Sequence, residues 1–446
     1  MRRCSCRGTK YVCLFVAHLL SVLIFSEAVT AEAFESLLEL PRSGSRPTRS
    51  KCRRVLLVSD FGAKGDGYND DTGAFVDAWK RACSSTVKTR ILVPENYTCL
   101  VRPVDFSGPC KAKLTLQVSG TIIAPKDPSA WEGLNPRKWL YFRGVNHLTV
   151  EGGGAVNGMG QEWWRRSCKV NESKPCRGAP TALTFHKCKD LRVRDLKVED
   201  SQQMHMAFTS CYRVTLSDLK VIAPGSSPNT DGIHVSGSRG VVVKNALVRT
   251  GDDCVSIVNN SSKISISNIV CGPGHGISIG SLGKSESWVQ VEDVIVDTAY
   301  LSDTENGVRI KTWQGGHGSV SRITFQNIFM KNVSNPIIID QYYCDSKKPC
   351  VNQTSAVNVE NISFIHIRGT SATEEAVTFS CSDDSPCRKI VMEDIMLISS
   401  NTGGDTRCFG WEAYGSCSGH VYPPCLSLES CFLLQKVQPN TLPVYV

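Results

Sequence analysis

The chain has 446 residues, 50 basic against 42 acidic side chains and a formal charge of +8, with 21 cysteines. So mild a positive balance, with no dense Lys/Arg stripe interleaved with aromatics, argues against a nucleic-acid binder while still suiting a polyanionic partner. Length alone would suggest about three domains, but an internal repeat described below argues for one.

Residues 1–28 read as a secretion signal. Arg2, Arg3, Arg7 and Lys10 form a basic start, Tyr11 to Phe25 an apolar run, and Ser26-Glu27-Ala28 a small-residue cleavage candidate. The apolar run is 15 residues, short of the roughly 20 that a spanning helix needs. No later segment is apolar and uncharged for long enough to cross a bilayer, so the expectation is a soluble, secreted, extracellular protein. Cleavage would remove four basic residues and Glu27, lowering the charge to about +5. Three cysteines (Cys4, Cys6 and Cys13) would leave with it, and 18 remain. Close pairs such as Cys168/Cys176, Cys344/Cys350 and Cys381/Cys387 read as disulfides, because zinc-type CxxC spacing is absent. Sequons at Asn96, Asn171, Asn259, Asn260, Asn332, Asn352 and Asn361 fit a glycosylating secretory route.

Residues 29–54 give no periodic signal and are expected to be irregular. The run 70–84 places Ala74, Phe75, Ala78, Trp79 and Ala82 at helical spacing behind an Asp/Thr start, which predicts an N-terminal capping helix. From residue 180 the chain alternates two apolar phrases. The first runs TALTFHKC, HMAFTSC, DGIHVSG, DCVSIVN, HGISIGS, NGVRIKT, NPIIIDQ, EAVTFSC. The second sets an Asp or Asn before an apolar pair, at positions 195, 218, 245, 268, 293, 327, 361 and 394. Repeats of 20–35 residues with short β-branched runs and no helical period between them mark a solenoid. The predicted fold is all-β: a right-handed parallel β-helix over 55–403, with inward Ile, Val, Leu and Phe. The recurring Asp/Asn is expected to bend the chain or bond to the neighbouring coil. Residues 404–446, with Cys408, Cys417, Cys425 and Cys431, are expected to form an irregular cysteine-rich cap and tail.

Within the repeat lie SPNTDGIHV (227–235), GDDC (251–254), GHG (274–276) and RIK (309–311). Asp231, Asp253 and His275 recur at equal intervals of 22 residues, which in a coiled fold stacks them on one face. Asp252 adds a third carboxyl. Cleaving a glycosidic bond requires one carboxylic acid and a second, ionised group; crowded carboxylates raise the proton affinity of at least one of them. Arg309 and Lys311, two apart on a strand, face the same side and suit substrate carboxylates. The competing reading of the aspartates is a calcium site, against which the neighbouring His275 weighs. Asp252 and Asp253, being consecutive, must sit at the turn entering their strand.

Together the four motifs resemble the polygalacturonases, glycoside hydrolases of family 28. VSDFGAKGDGYNDDTGAFVDAWKRAC (58–83) and QYYC (341–344) resemble the plant-type branch. The resemblance runs from about residue 55 to the last cysteines. It implies a right-handed β-helix that hydrolyses α-1,4-linked galacturonan with inversion, without cofactor or metal. Position by position, it implies that Asp252 is the general acid, that Asp231 and Asp253 activate water, and that His275 tunes the acid and touches substrate. Arg309 and Lys311 would hold galacturonate carboxylates. Tyr343, with its neighbour Tyr342 as the alternative, would contact substrate, and Asn229 would shape the loop presenting Asp231. Cys254 and Cys271 would form a disulfide. The implied partner is homogalacturonan, with no nucleic acid or membrane, on a monomeric protein. A rhamnogalacturonan hydrolase, a calcium-dependent pectate lyase and a non-catalytic galacturonan-binding protein are the competing functions.

Overall fold

The computed structural model describes residues 54–431, apart from 171, 172, 174, 177, 347, 402, 403 and 430. The expected signal (1–28), the segment that follows it as far as residue 53, and the tail beyond 431 lie outside the described residues. Arg54, expected to be irregular, opens the first strand, Arg54–Leu57.

The chain coils with nearly every strand parallel to those above and below. One sheet has 17 strands and the other 11. Each coil gives a short strand to the smaller sheet and a longer one to the larger, which is the right-handed parallel β-helix. Its interior is a set of stacked rows. Leu191, Val214, Val241 and Ile264 form one such row, and Val198, Val221, Val248 and Cys271 another; all are buried. Behind the smaller sheet Phe142, Phe185 and Phe208 stack face to face at 5.0 and 5.2 Å.

All eight recurring Asp/Asn positions adopt the left-handed conformation, with φ between 50° and 56°, a region that Asp and Asn tolerate better than other non-glycine residues. Each bends a long strand, so that a run such as Lys189–Glu199 turns a corner of the coil at Asp195. Some also bond to the coil beside them: Asn245 Nδ2 donates to Asp218 Oδ1 at 3.1 Å and Asn268 Nδ2 to Asn245 Oδ1 at 3.3 Å. Both expected roles therefore occur.

A helix spans Thr72–Cys83 and buries Ala74, Phe75, Ala78, Trp79 and Ala82, packing over the first coils. Trp79 donates its indole N–H to the Ser107 carbonyl and lies 4.9 Å from the Phe106 ring. Just before it, the buried Asp71 carboxylate accepts the Lys64 and Gly65 amides, which pins the loop ahead of the helix.

One expectation requires correction. Residues after 403 are not irregular: Arg407–Trp411 pairs in parallel with Glu375–Ser380, and Ala413–Tyr422 with Cys387–Ser399. This last coil shows little apolar alternation because small residues and cystines replace aliphatic side chains inside it; Cys408–Cys425 and Cys417–Cys431 are bonded there. Not every described cysteine pairs. Among the described residues seven disulfides form, including the three close pairs and Cys254–Cys271. Cys99, Cys188 and Cys211 remain buried thiols, filling inward positions as small apolar residues.

Candidate active site

Four strands of the smaller sheet carry the motifs: Ile233–Ser236, Val255–Ile257, Ile277–Leu282 and Asn306–Thr312. Ile233 pairs with Val255, and Val255 with Ile277. Asp231, Asp253 and His275 each lie two residues ahead of that row. The 22-residue interval thus places them at the same point of three successive coils. Asp252 and Asp253 occupy the turn before their strand, as consecutive carboxyls on one face require. The hydrogen-bond ladder runs on through this turn: the Gly232 amide donates to the Asp253 carbonyl, the His275 amide to Asp252, and the Cys254 amide to Gly276.

The glycines flanking His275 are obligatory for close stacking. A β-carbon on Gly276, whose φ is +83°, would lie 2.0 Å from the Asn306 carbonyl oxygen. One on Gly274 would lie 2.8 Å from that of Asp252. No side chain fits either gap.

Arg309 pairs in register with Ser278, which pairs with Ser256 and then His234. This outward row is the floor of the site. Asp253 is nearly fully buried and takes three donors: Ser278 Oγ at 2.7 Å, Arg309 at 2.8 Å and Lys311 Nζ at 3.0 Å. Arg309 also donates to Ser278 Oγ at 3.1 Å. Asp231, also buried, accepts Ser256 Oγ at 2.8 Å, and the Ser256 hydroxyl meets His234 Nδ1 at 2.8 Å. Asp252 is the more open carboxyl. Its Oδ1 faces His275 Nδ1 at 3.1 Å, and its Oδ2 accepts Asn229 Nδ2 at 3.2 Å. On the far side of the imidazole, Nε2 lies 3.3 Å from Glu305. The structure therefore brings together Asp231, Asp252, Asp253, His275, Arg309, Lys311 and Asn229.

The two tyrosines separate. The Tyr343 ring lies 5.4 Å from Lys311 Nζ and edge-on to Trp313, whereas Tyr342 turns its hydroxyl to Asp383 at 2.9 Å. Sequence reasoning assigned no part to Ser256, Ser278 or His234, and it missed Glu305. Aligning ENGVRIKT beneath GHGISI would have set that acid one coil from His275.

The electrostatics divide the carboxyls. Burial pushes Asp231 well above the usual carboxylate range, and the Asp252 and Asp253 charges push it further. Burial acts on Asp252 in the same sense, but it is outweighed by the hydrogen bond and charge of His275, and Asp252 is held low. Burial depresses His275, but its bond to Asp252 and the charges of Asp252 and Glu305 win and raise it. These directions favour a proton on Asp231 and on the imidazole over one on Asp252.

Asp252, Asp253 and His275 offer three ligand atoms within 4.8 Å of one another. A divalent cation fits poorly there, because both Asp253 oxygens already face fixed positive charges on Arg309 and Lys311.

A family model described as glycosyl hydrolases family 28 matches residues 83–417. A probable polygalacturonase of Arabidopsis thaliana is 70% identical over 431 residues, covering 96% of this chain and 97% of that protein. A polygalacturonase of Persea americana is 52% identical over 381 residues, 85% of this chain and 80% of that protein. Among solved structures, an endo-xylogalacturonan hydrolase from Aspergillus tubingensis superposes with a TM-score of 0.69 at 23% identity, covering 82% of this chain and all of that one.

Proposed function

The chain belongs to glycosyl hydrolases family 28, and from that membership and the geometry of the site we propose that it hydrolyses the α-1,4-galacturonosyl linkages of pectin. The observation that carries the reading is Asp253, buried and held by both Arg309 and Lys311, next to Asp252 and one coil from Asp231 and from His275. Three carboxyls suited to opposite protonation states sit beside two cations able to receive a uronate. The relatives named polygalacturonase support the same substrate.

In this reading the Asp252–His275 pair is the acid. The imidazolium passes its Nδ1 proton to Asp252, which presents it to the glycosidic oxygen. Asp231 and Asp253 bind the attacking water on the opposite face of the sugar, and one of them takes its proton as oxygen bonds to the anomeric carbon and the glycosidic C–O bond breaks. The product is inverted. Asp231 must be ionised for this. The burial that raises its proton affinity also makes it the stronger base once it is charged. Arg309, Lys311 and Tyr343 hold the substrate, and Asn229 keeps Asp252 oriented. No metal or cofactor is required. The protein is taken to be a secreted monomer acting on homogalacturonan of the cell wall. No helix among the described residues is long and apolar enough to cross a membrane.

The test is product formation from de-esterified polygalacturonic acid in EDTA, following reducing ends and the ultraviolet absorbance of unsaturated sugars. New reducing ends without unsaturation support the proposal. Unsaturated products, or cleavage that needs calcium, would favour a lyase, and binding without any cleavage a non-catalytic role.

A further inference from the structure

The floor of the site continues toward the C-terminal coils with a change of character. Arg309 pairs with Ile338, Ile338 with Thr378 and Thr378 with Phe409. The parallel row runs from Lys311 through Asp340 and Ser380 to Trp411. At the 4.7–4.9 Å spacing of neighbouring strands, the two rows end roughly 14 Å from the Arg309–Lys311 pair. There Phe409 is 48% and Trp411 51% exposed, two large apolar rings side by side. Trp411 does not hang free. Its indole N–H donates to Asp383 Oδ1 at 2.9 Å, and Asp383 Oδ2 accepts the Tyr342 hydroxyl at 2.9 Å. The ring is fixed with its face open.

The charges at this end oppose a uronate. Asp340 lies in the Lys311 row itself, and Asp383 fixes the indole. The cation carried by the Phe409–Trp411 strand, Arg407, is tied to Glu374 at 3.2 Å and Glu375 at 2.6 Å. Aromatic faces carry negative potential. They attract the polarised C–H bonds of a sugar and repel a carboxylate.

Resting on the hydrolase reading above, we propose that Phe409 and Trp411 form a distal sugar-binding platform that selects a galacturonate residue with an uncharged, methyl-esterified carboxyl. Cleavage at the catalytic coil then requires a free uronate over Arg309 and Lys311, while about three coils away the esterified unit is favoured. The preferred substrate is a partly esterified homogalacturonan and not the bare polyacid.

The experiment compares wild type with Phe409→Ala/Trp411→Ala on one homogalacturonan backbone prepared fully de-esterified and partly methyl-esterified. On the esterified polymer kcat/KM should fall about tenfold, as loss of two stacking contacts implies, and on the polyacid it should change less than about twofold. Trp411→Phe, which keeps a ring face, should retain most of the preference. Equal losses on both polymers, or no loss on either, would overturn the proposal. Affinity electrophoresis in gels of each polymer, with Asp252→Asn as background, reads the same preference without turnover. A wild-type enzyme that cleaves neither polymer but is retarded more by the esterified gel would count against the hydrolase reading and leave the platform standing. Equal retardation would remove the platform.

Discussion

Asp252 Oδ1 stands 3.1 Å from His275 Nδ1, so carboxylate and imidazole share one proton, and Glu305 stands 3.3 Å from the other nitrogen of the same ring. The pair, more than either group alone, is the acid of the proposed reaction. Asp252→Asn removes the proton-presenting atom without changing its size, and turnover should fall by two or more orders of magnitude. Affinity for polygalacturonate and the melting temperature should change little. Retained turnover would refute the assignment.

Glu305 is reached through the same ring. His275 is raised above its ordinary value, so its stabilising protonated form is complete below that value and is lost as pH rises through the raised one. The alkaline limb of the pH–rate profile should follow this loss. Glu305→Gln removes one of the charges that raise His275. It should move that limb to lower pH and leave the rate at the optimum within a few-fold. An unmoved limb would show that the imidazole does not govern it.

Asp231 has the opposite effect on stability. Its carboxyl is raised by burial and by two neighbouring acids. A carboxyl raised in the folded state favours folding only while protonated, and it disfavours folding as pH climbs from the ordinary carboxylate range through the raised value. Asp231→Asn keeps an acceptor for the Ser256 hydroxyl and removes the ionisable carboxyl. Its melting temperature should exceed wild type near neutral pH, with the difference vanishing in strong acid, while turnover is lost. A variant that melts lower at neutral pH would contradict this account of the site.

Asp253 is held by Arg309 and Lys311, residues 56 and 58 positions further along the chain. A substrate carboxylate must therefore share these cations with Asp253. Lys311→Ala should raise KM and, because it also frees one Asp253 oxygen, lower kcat. Asp253→Asn leaves two buried cations short of a charge and should destabilise by about 3–5 kcal/mol, the range for breaking a buried pair. Steady-state kinetics and thermal melts check both. A Lys311→Ala effect confined to kcat would argue against a binding role.

What the sequence made legible follows from local chemistry. Equal 22-residue spacing, the Asp/Asn corners and the buried stripe of the capping helix are each written in residues whose backbone or packing preference is strong. The pairing of Asp253 with Arg309 and Lys311 was not legible, since it depends on side chains two coils apart. The last coil escaped notice because Cys408 and Gly410 stand inward where aliphatic residues would have signalled a strand. That Cys188 and Cys211 stay as buried thiols was not legible, because a cysteine's oxidation state leaves no pattern in composition. Tyr342 and Tyr343 could be told apart only once Asp383 was seen to hold the first.

The Cys254–Cys271 disulfide tests whether the turn presenting Asp253 must be held rigid. It joins residues 17 apart, and in the chain-entropy picture it contributes about 3 kcal/mol. Cys168–Cys176 joins residues 8 apart and contributes slightly less, about 2.5 kcal/mol. Replacing either pair by alanine should thus lower the melting temperature by similar amounts. Activity should separate them. Cys254 follows Asp253 directly, and its amide bonds to the Gly276 carbonyl beside His275, so loosening it should displace Asp253 and the Asp252–His275 pair, the proposed water-binding and acid groups, together. Displacements of an ångström at a catalytic group cost up to about a hundredfold in rate. The Cys254→Ala/Cys271→Ala enzyme, assayed well below its melting temperature, should lose kcat by a large factor, whereas Cys168→Ala/Cys176→Ala should not. Equal kcat in the two variants would mean that the β-helix ladder alone positions the site and that the cystine serves stability only.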